Sequence, residues 1–359
     1  MPTSNIDEPV GRHGATREAS QALNLALPLA VTMGDPAGVG PDITLASWHQ
    51  RVALDLPAFA VVGDRDALTR RAQQLGLAVP IAPISEFAEA GALFGRALPL
   101  LPVGGGDAGA KIVAAIERAV AAAIAGEALA VVTNPITKSA LNFADLAYPG
   151  HTEYLAVLAV RHLGGARPRP VMMLVADELK VVPATVHVPL TAVASLLTPA
   201  LLRETIAITA AALARDFGIA APRIAVTGLN PHAGEAGLIG AEEQTLIAPL
   251  IAAMAAEGLA VSGPYPADTL FHAEARAGYD AVVAMYHDQA LIPLKTLAFE
   301  RGVNITLGLP FVRTSPDHGT AFAIAGTGQA RPGSFLAALG LAAAIGRRRA
   351  AGDAGSQRR

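Results

Sequence analysis

The chain has 359 residues, of which 52% are apolar and 16% charged, with a formal net charge of −3 and no cysteine. That length holds two domains or one large one. The missing cysteines exclude disulfides, thiolate nucleophiles and cysteine-ligated metals, and without a basic block in the body of the chain nucleic acid is not an expected partner.

Residues 1–26 are mixed polar and lack the apolar core of a secretory signal, so a flexible extension is expected there. No apolar run reaches the roughly 18–20 uninterrupted residues of a bilayer span. No membrane association is expected, and the cytoplasm is the expected location. An apolar strand over 27–33 runs into Gly34-Asp35-Pro36-Ala37-Gly38-Val39-Gly40-Pro41-Asp42. This run has the glycines and helix-start proline of a phosphate-binding turn but not the GxGxxG spacing of a Rossmann fingerprint. A structural strand-to-helix turn accounts for it equally well.

A strand over 58–62 meets Gly63-Asp64, which opens a helix to about residue 75, and the breaker-poor stretch 110–126 reads as a helix. A strand over 128–132 leads into Thr133-Asn134-Pro135-Ile136-Thr137-Lys138, and Gly150-His151-Thr152 forms the mouth of a helix ending near residue 163. Short strands at 171–175 and 180–186 suit a hairpin or meander. A helix over 198–217, a strand from 224 toward Asn230 and a helix over 241–257 follow. A strand over 281–286 then leads to a short helix over 289–297. The region 302–333 is rich in Gly, Pro and Thr; a last helix covers 334–345, and a polar tail is expected over 347–359. Strand alternating with helix indicates an α/β fold with a mostly parallel sheet.

Three histidines share one local grammar: His187, His232 and His287 each stand just past a short apolar run. Ligands bind at the carboxyl ends of strands in such sheets, and three imidazoles on one rim suit a divalent metal with an open position for substrate. Any one of them alone reads more simply as a hydrogen-bonded rim residue. An all-nitrogen set favours zinc or another borderline ion such as cobalt over magnesium. At the helix mouth, His151 and Thr152 stand where free backbone N–H groups suit a phosphate or carboxylate, though ordinary capping by Thr152 competes. Lys295, Asn304 and Arg313 form a further polar set suited to an anion. Asp268 is a carboxylate among apolar neighbours and, with Lys295, a candidate proton acceptor; a helix cap is an equal reading. His318 and Gly319, between Gly-rich stretches, are candidate nucleotide contacts.

These motifs together resemble the 4-hydroxythreonine-4-phosphate dehydrogenase family of pyridoxal phosphate synthesis, over residues 28–345. The most specific pieces are Met33–Pro41, Pro149-Gly150-His151-Thr152-Glu153, Gly228-Leu229-Asn230-Pro231-His232-Ala233-Gly234-Glu235, Tyr286-His287-Asp288-Gln289 and Arg301–Ser315. The resemblance implies metal ligands at His187, His232 and His287, and substrate contacts at His151, Thr152, Lys295, Asn304 and Arg313. It implies the isocitrate/isopropylmalate dehydrogenase-like fold, two α/β domains with an active-site cleft between them, divided as 27–145 plus 305–346 and 146–304. The second domain would carry the metal site and the interface of a homodimer with a shared active site. NAD or NADP would bind near His318-Gly319-Thr320-Ala321; many relatives carry aspartate where this chain has Ala323, which bears on the dinucleotide contact.

The expected reaction is NAD-dependent, divalent-metal-assisted oxidation of 4-phosphohydroxy-L-threonine, a phosphorylated small-molecule substrate. The product, 2-amino-3-oxo-4-(phosphooxy)butanoate, decarboxylates to 3-amino-2-oxopropyl phosphate. A paralogue oxidising 4-phosphothreonate or 4-phosphoerythronate would keep the same site. Phosphate acetyltransferases share a related fold but need no three-histidine site, and a non-catalytic metal or phosphate sensor is the non-enzyme alternative.

Overall fold

A computed structural model describes residues 27–137 and 150–356. Lys138, Pro149, the 145/146 domain boundary, the extension 1–26 and the last residues 357–359 lie outside the described residues. The strands in chain order are β1 (Leu29–Thr32), β2 (Phe59–Gly63), β3 (Ile81–Pro83), β4 (Leu98–Pro102), β5 (Val131–Thr133) and β6 (Val171–Ala176). They continue as β7 (Leu179–Thr185), β8 (Ile224–Thr227), β9 (Val261–Tyr265), β10 (Ala281–Tyr286), β11 (Val303–Leu307) and β12 (Arg313–Pro316). The main helices are α1 (Gly40–His49), α2 (Arg65–Gln74), α3 (Ala108–Ala125), α4 (His151–Leu163), α5 (Pro199–Phe217), α6 (Ala248–Ala256), α7 (His287–Ala298) and α8 (Gly333–Ser356).

Among the described residues the twelve strands form one sheet in the order β3-β4-β2-β1-β5-β12-β11-β6-β7-β10-β8-β9. From β3 to β12 neighbours are parallel, and from β7 to β9 they are parallel again. Between these blocks, β12, β11, β6 and β7 pair antiparallel. The β6–β7 pair is the expected hairpin. The sheet's period of two is visible in its burial. Leu29, Val31, Val182 and Val283 pack into one core that runs along one face of both blocks. Ala30 and Val62 face a second core under the first block, and Val181 and Val282 a third under the second block.

Local chemistry explains the helix ends. Asp107 caps α3 by accepting from the Ala110 amide at 2.9 Å, and Gly126 ends it with φ 74°. Thr198 and Gly218 do the same for α5. Helix α4, assigned from the sequence to the second unit, packs with the first: Tyr154 and Leu155 join its core, and Tyr154 Oη donates to Glu117 Oε1 at 2.7 Å.

Several elements depart from the expected pattern. The Gly- and Pro-rich region 302–333 contains β11 and β12, in the middle of the sheet. Strands β3, β4, β7, β9 and β12 contain prolines; β3 and β9 are the edges, where a missing N–H is tolerated. The helix expected over 241–257 opens with a π-helical turn, Glu243–Ile247, ahead of α6. Helix α8 continues to Ser356, past the expected end near Ile345; Arg349 Nε lies 2.8 Å from the buried Asp216 Oδ1 and fixes the extra turns. Among the described residues no single helix is long and apolar enough to cross a membrane.

Candidate active site

The three histidine-bearing strands are neighbours, β7–β10–β8, and all parallel. His187 follows β7 by two residues with a left-handed backbone, φ 40°. His287 is the first residue of α7, immediately after β10. His232 lies in the turn Pro231–Gly237 beyond β8, where residues 232–236 are all left-handed. The structure brings two of these rings together: the His187 and His287 centroids are 5.5 Å apart. With Thr185, Val188, Tyr286 and Asp288 they line a cavity of about 230 Å³. His232 is exposed on the adjoining loop, and among the described residues no three histidine or carboxylate side chains converge to metal-binding distance.

The donor set still fits a divalent ion. His287 Nδ1 lies 2.7 Å from Asp288 Oδ1, which leaves Nε2 to face a metal, the usual role of a carboxylate behind a ligating imidazole. The donors are nitrogens, which a cysteine-free chain can offer.

Arg313 opens β12 and is 6% exposed. Its Nε and Nη2 donate to Thr133 Oγ1 at 3.0 and 2.7 Å, and Nη1 donates to Thr306 Oγ1 at 3.1 Å. Among the described residues no carboxylate pairs with it. Burial pushes its pKa down to about 10. A desolvated cation whose partners among the described residues are hydroxyls is suited to an incoming anion. His151 is the first residue of α4, and its buried Nε2 has no hydrogen-bond partner among the described residues. Burial first, and then the Arg313 charge, hold this imidazole well below its ordinary pKa, so it is neutral. Gly150 is extended ahead of it, and Thr152 stands next in the first turn, part-buried. The helix start, a neutral imidazole and a guanidinium without a carboxylate partner among the described residues are each suited to an anion, and the Arg313 charge reaches the His151 ring.

Lys295 Nζ donates to the Asp317 carbonyl at 2.6 Å and lies 2.5 Å from Asp317 Oδ2. Helix α7 runs unbroken through Pro293, so His287 and Lys295 belong to one rod. Asp317 was not singled out by the sequence. Burial raises its carboxyl pKa against the opposing effects of Lys295, His318 and His287. Asn304, part-buried on β11, pairs across to Ser315. Asp268 is exposed in the short turn Ala267–Thr269, which packs on the His232 turn.

His318 and Gly319 are exposed. Their loop is anchored to the Gly34–Asp42 run: Val39 N donates to Thr320 O at 2.9 Å, and Gly326 N to Asp42 Oδ1 at 2.6 Å. Arg71 pairs with Asp42 and donates to Gly38 O at 2.8 Å. The glycines of the run have packing reasons. Gly34 has φ 77°, and a Cβ there would come within 2.7 Å of Pro135 O.

The family model described as pyridoxal phosphate biosynthetic protein PdxA matches residues 55–342. The chain belongs to the PdxA family. As a PdxA-family member it is an oxidoreductase of the dehydrogenase type. It is 53% identical over 325 residues to a 4-hydroxythreonine-4-phosphate dehydrogenase of Xanthobacter autotrophicus, covering 88% of this chain and 92% of the relative. A Bradyrhizobium diazoefficiens protein of the same name is 52% identical over 339 residues, covering 89% and 97%. The crystal structure of the Klebsiella pneumoniae 4-hydroxythreonine-4-phosphate dehydrogenase superposes with a TM-score of 0.78 at 40% identity, covering 89% of this chain and 98% of that one.

Proposed function

We propose that this chain oxidises 4-phosphohydroxy-L-threonine with NAD or NADP in pyridoxal 5'-phosphate biosynthesis. The observation that carries the reading is Arg313, a buried guanidinium whose partners among the described residues are the Thr133 and Thr306 hydroxyls, close enough to His151 for its charge to act on that imidazole. The relatives' shared name supplies the substrate that such a site suits.

In this reading Arg313, His151, Thr152 and the α4 N-terminus hold the anionic groups of the substrate, and Asn304 orients it. Lys295 anchors a further anionic end and is itself held by Asp317. Because Lys295 is engaged in that ion pair, Asp268 is the better candidate for taking the alcohol proton. His187, His232 and His287 are the ligand set for a divalent ion, zinc by donor preference with cobalt and magnesium behind it. A bound ion would supply the Lewis acidity that lowers the pKa of the substrate alcohol, and a bound dinucleotide would supply the hydride acceptor. His318 and Gly319 contact the dinucleotide.

A two-domain reading takes the cores on one face, one beneath each parallel block, as its two units, with α4 in the first unit and a shared core on the other face. A homodimer with shared sites is supported by exposed Val188, Leu190, Leu238 and Ile239, which follow His187 and His232 closely in the chain. The test is NADH formation from 4-phosphohydroxythreonine and, in parallel, from 4-phosphothreonate, each with and without zinc. Metal-dependent turnover of the amino acid supports the reading, and turnover of phosphothreonate alone replaces it with the sugar-acid alternative.

A further inference from the structure

One amide ties together the strand ends that carry two of the histidines. Gln289, two residues after His287, accepts at Oε1 from Thr227 Oγ1 and from the Met285 amide, both at 2.7 Å. Its Nε2 donates to Gly228 O at 2.8 Å. Thr227 is the last residue of β8, and Met285 the penultimate residue of β10. Past Gly228 the chain is clamped again. The buried Glu243 accepts at Oε1 from the Leu229 amide at 2.7 Å and the Asn230 amide at 2.8 Å, and at Oε2 from Asn230 Nδ2 at 3.0 Å. His232 follows two residues later. Position 228 has to stay small, because a Cβ there would come within 2.8 Å of Ala233 Cα and 3.0 Å of Glu243 Oε1.

We propose that Gln289 is a positioning residue for the histidine rim. Its amide sets the spacing between the start of α7, where His287 sits, and the exit of β8, and Glu243 carries that setting on to His232. Neither side chain is one of the three candidate ligands; each acts on the strand exits through backbone groups and one side chain, Thr227 for Gln289 and Asn230 for Glu243, as supports behind metal ligands do. The inference rests on the reading of these histidines as metal ligands. The chemistry calls for a carboxamide. One oxygen takes two donors while the nitrogen gives to a carbonyl, and a glutamate would turn an acceptor toward Gly228 O.

The test measures cobalt and zinc affinity of the full chain by chelator competition, with the melting temperature and the cobalt ligand-field spectrum of every variant. Gln289→Glu and Gln289→Leu should weaken binding by about 10- to 100-fold and alter the cobalt spectrum. Thr227→Val removes one donor from a shape-matched side chain and should weaken it roughly fivefold; it keeps the test decisive if the Gln289 variants fail to fold. His287→Ala is the control. If it loses metal while folded Gln289 and Thr227 variants bind like the parent, the positioning role is overturned and the metal reading stands. If His287→Ala itself binds like the parent, the metal reading falls and takes the inference with it.

Discussion

The guanidinium of Arg313 lies close enough to His151 for its charge to add to the burial that keeps the imidazole neutral. The pair is thus one buried cation and one neutral ring, with Thr133 and Thr306 hydroxyls as the cation's partners. An anion entering this site meets a desolvated charge, where an ionic hydrogen bond is worth more than on the surface.

Arg313→Lys keeps the charge and loses the forked donors. It should cut kcat/KM for the phosphorylated substrate on the order of 30-fold, equivalent to about 2 kcal/mol of charged hydrogen bonding. Steady-state kinetics on the folded variant measure this. A variant as active as the parent removes Arg313 from the site.

His151 gives a pH signature. Its folded pKa lies well below the ordinary 6.5, so the unfolded imidazole takes a proton that the folded one refuses. The unfolded state therefore binds more protons below about pH 6.5, and stability falls as pH falls, at up to about 1.4 kcal/mol per pH unit. In His151→Gln this contribution should vanish. Denaturant titrations of parent and variant across that range should show a shallower acid loss in the variant, and identical slopes would contradict the burial of this ring.

The amino-acid pattern named most residues of the candidate site, and the structure brings His187 and His287 together while His232 stands on the adjoining loop. The three histidines were legible because each follows a complete apolar strand, and the helix mouth at His151 because Gly and Thr bracket it. The partners of Arg313 were not, since Thr133 lies 180 residues away along the chain and meets it only through the β5–β12 pairing. Strands β11 and β12 were hidden because Asn304, Thr306, Arg313 and Thr314 read as loop. Their polar groups are satisfied by distant partners, as when Thr314 Oγ1 donates to Ala338 O at 2.9 Å. Asp317 was missed for the same reason: Lys295, 22 residues away, is brought to it by the packing of α7.

The end of α8 depends on Asp216. Burial alone would raise this carboxyl, but bonds from Arg349 and Arg215 hold its pKa below the ordinary value. Asp216→Ala leaves Arg349 without its carboxylate and should cost roughly 3 kcal/mol of stability. With a depressed pKa, the Asp216 contribution is present above the ordinary carboxylate range and is lost as pH falls through the folded value. Chemical denaturation should register the loss, with turnover of the folded fraction unchanged. A variant as stable as the parent would show that the helix end is held by something else.

His232→Ala tests the ligand set at its outlying member. Turnover should lose its dependence on added metal and fall by about two orders of magnitude or more, with the melting profile in metal-free buffer unchanged. Full metal-dependent activity would leave His187 and His287 as a two-residue pair of another purpose.

The most direct test of the account compares NADH formation from 4-phosphohydroxythreonine with that from 4-hydroxythreonine, using the parent chain and Arg313→Lys. The parent should use the phosphorylated compound with metal and show kcat/KM lower by at least about 100-fold without the phosphate. Arg313→Lys should narrow that gap. Equal turnover of both compounds, or no NADH from either with any divalent metal, would contradict the reading of this site as the anion clamp of a phosphohydroxythreonine dehydrogenase.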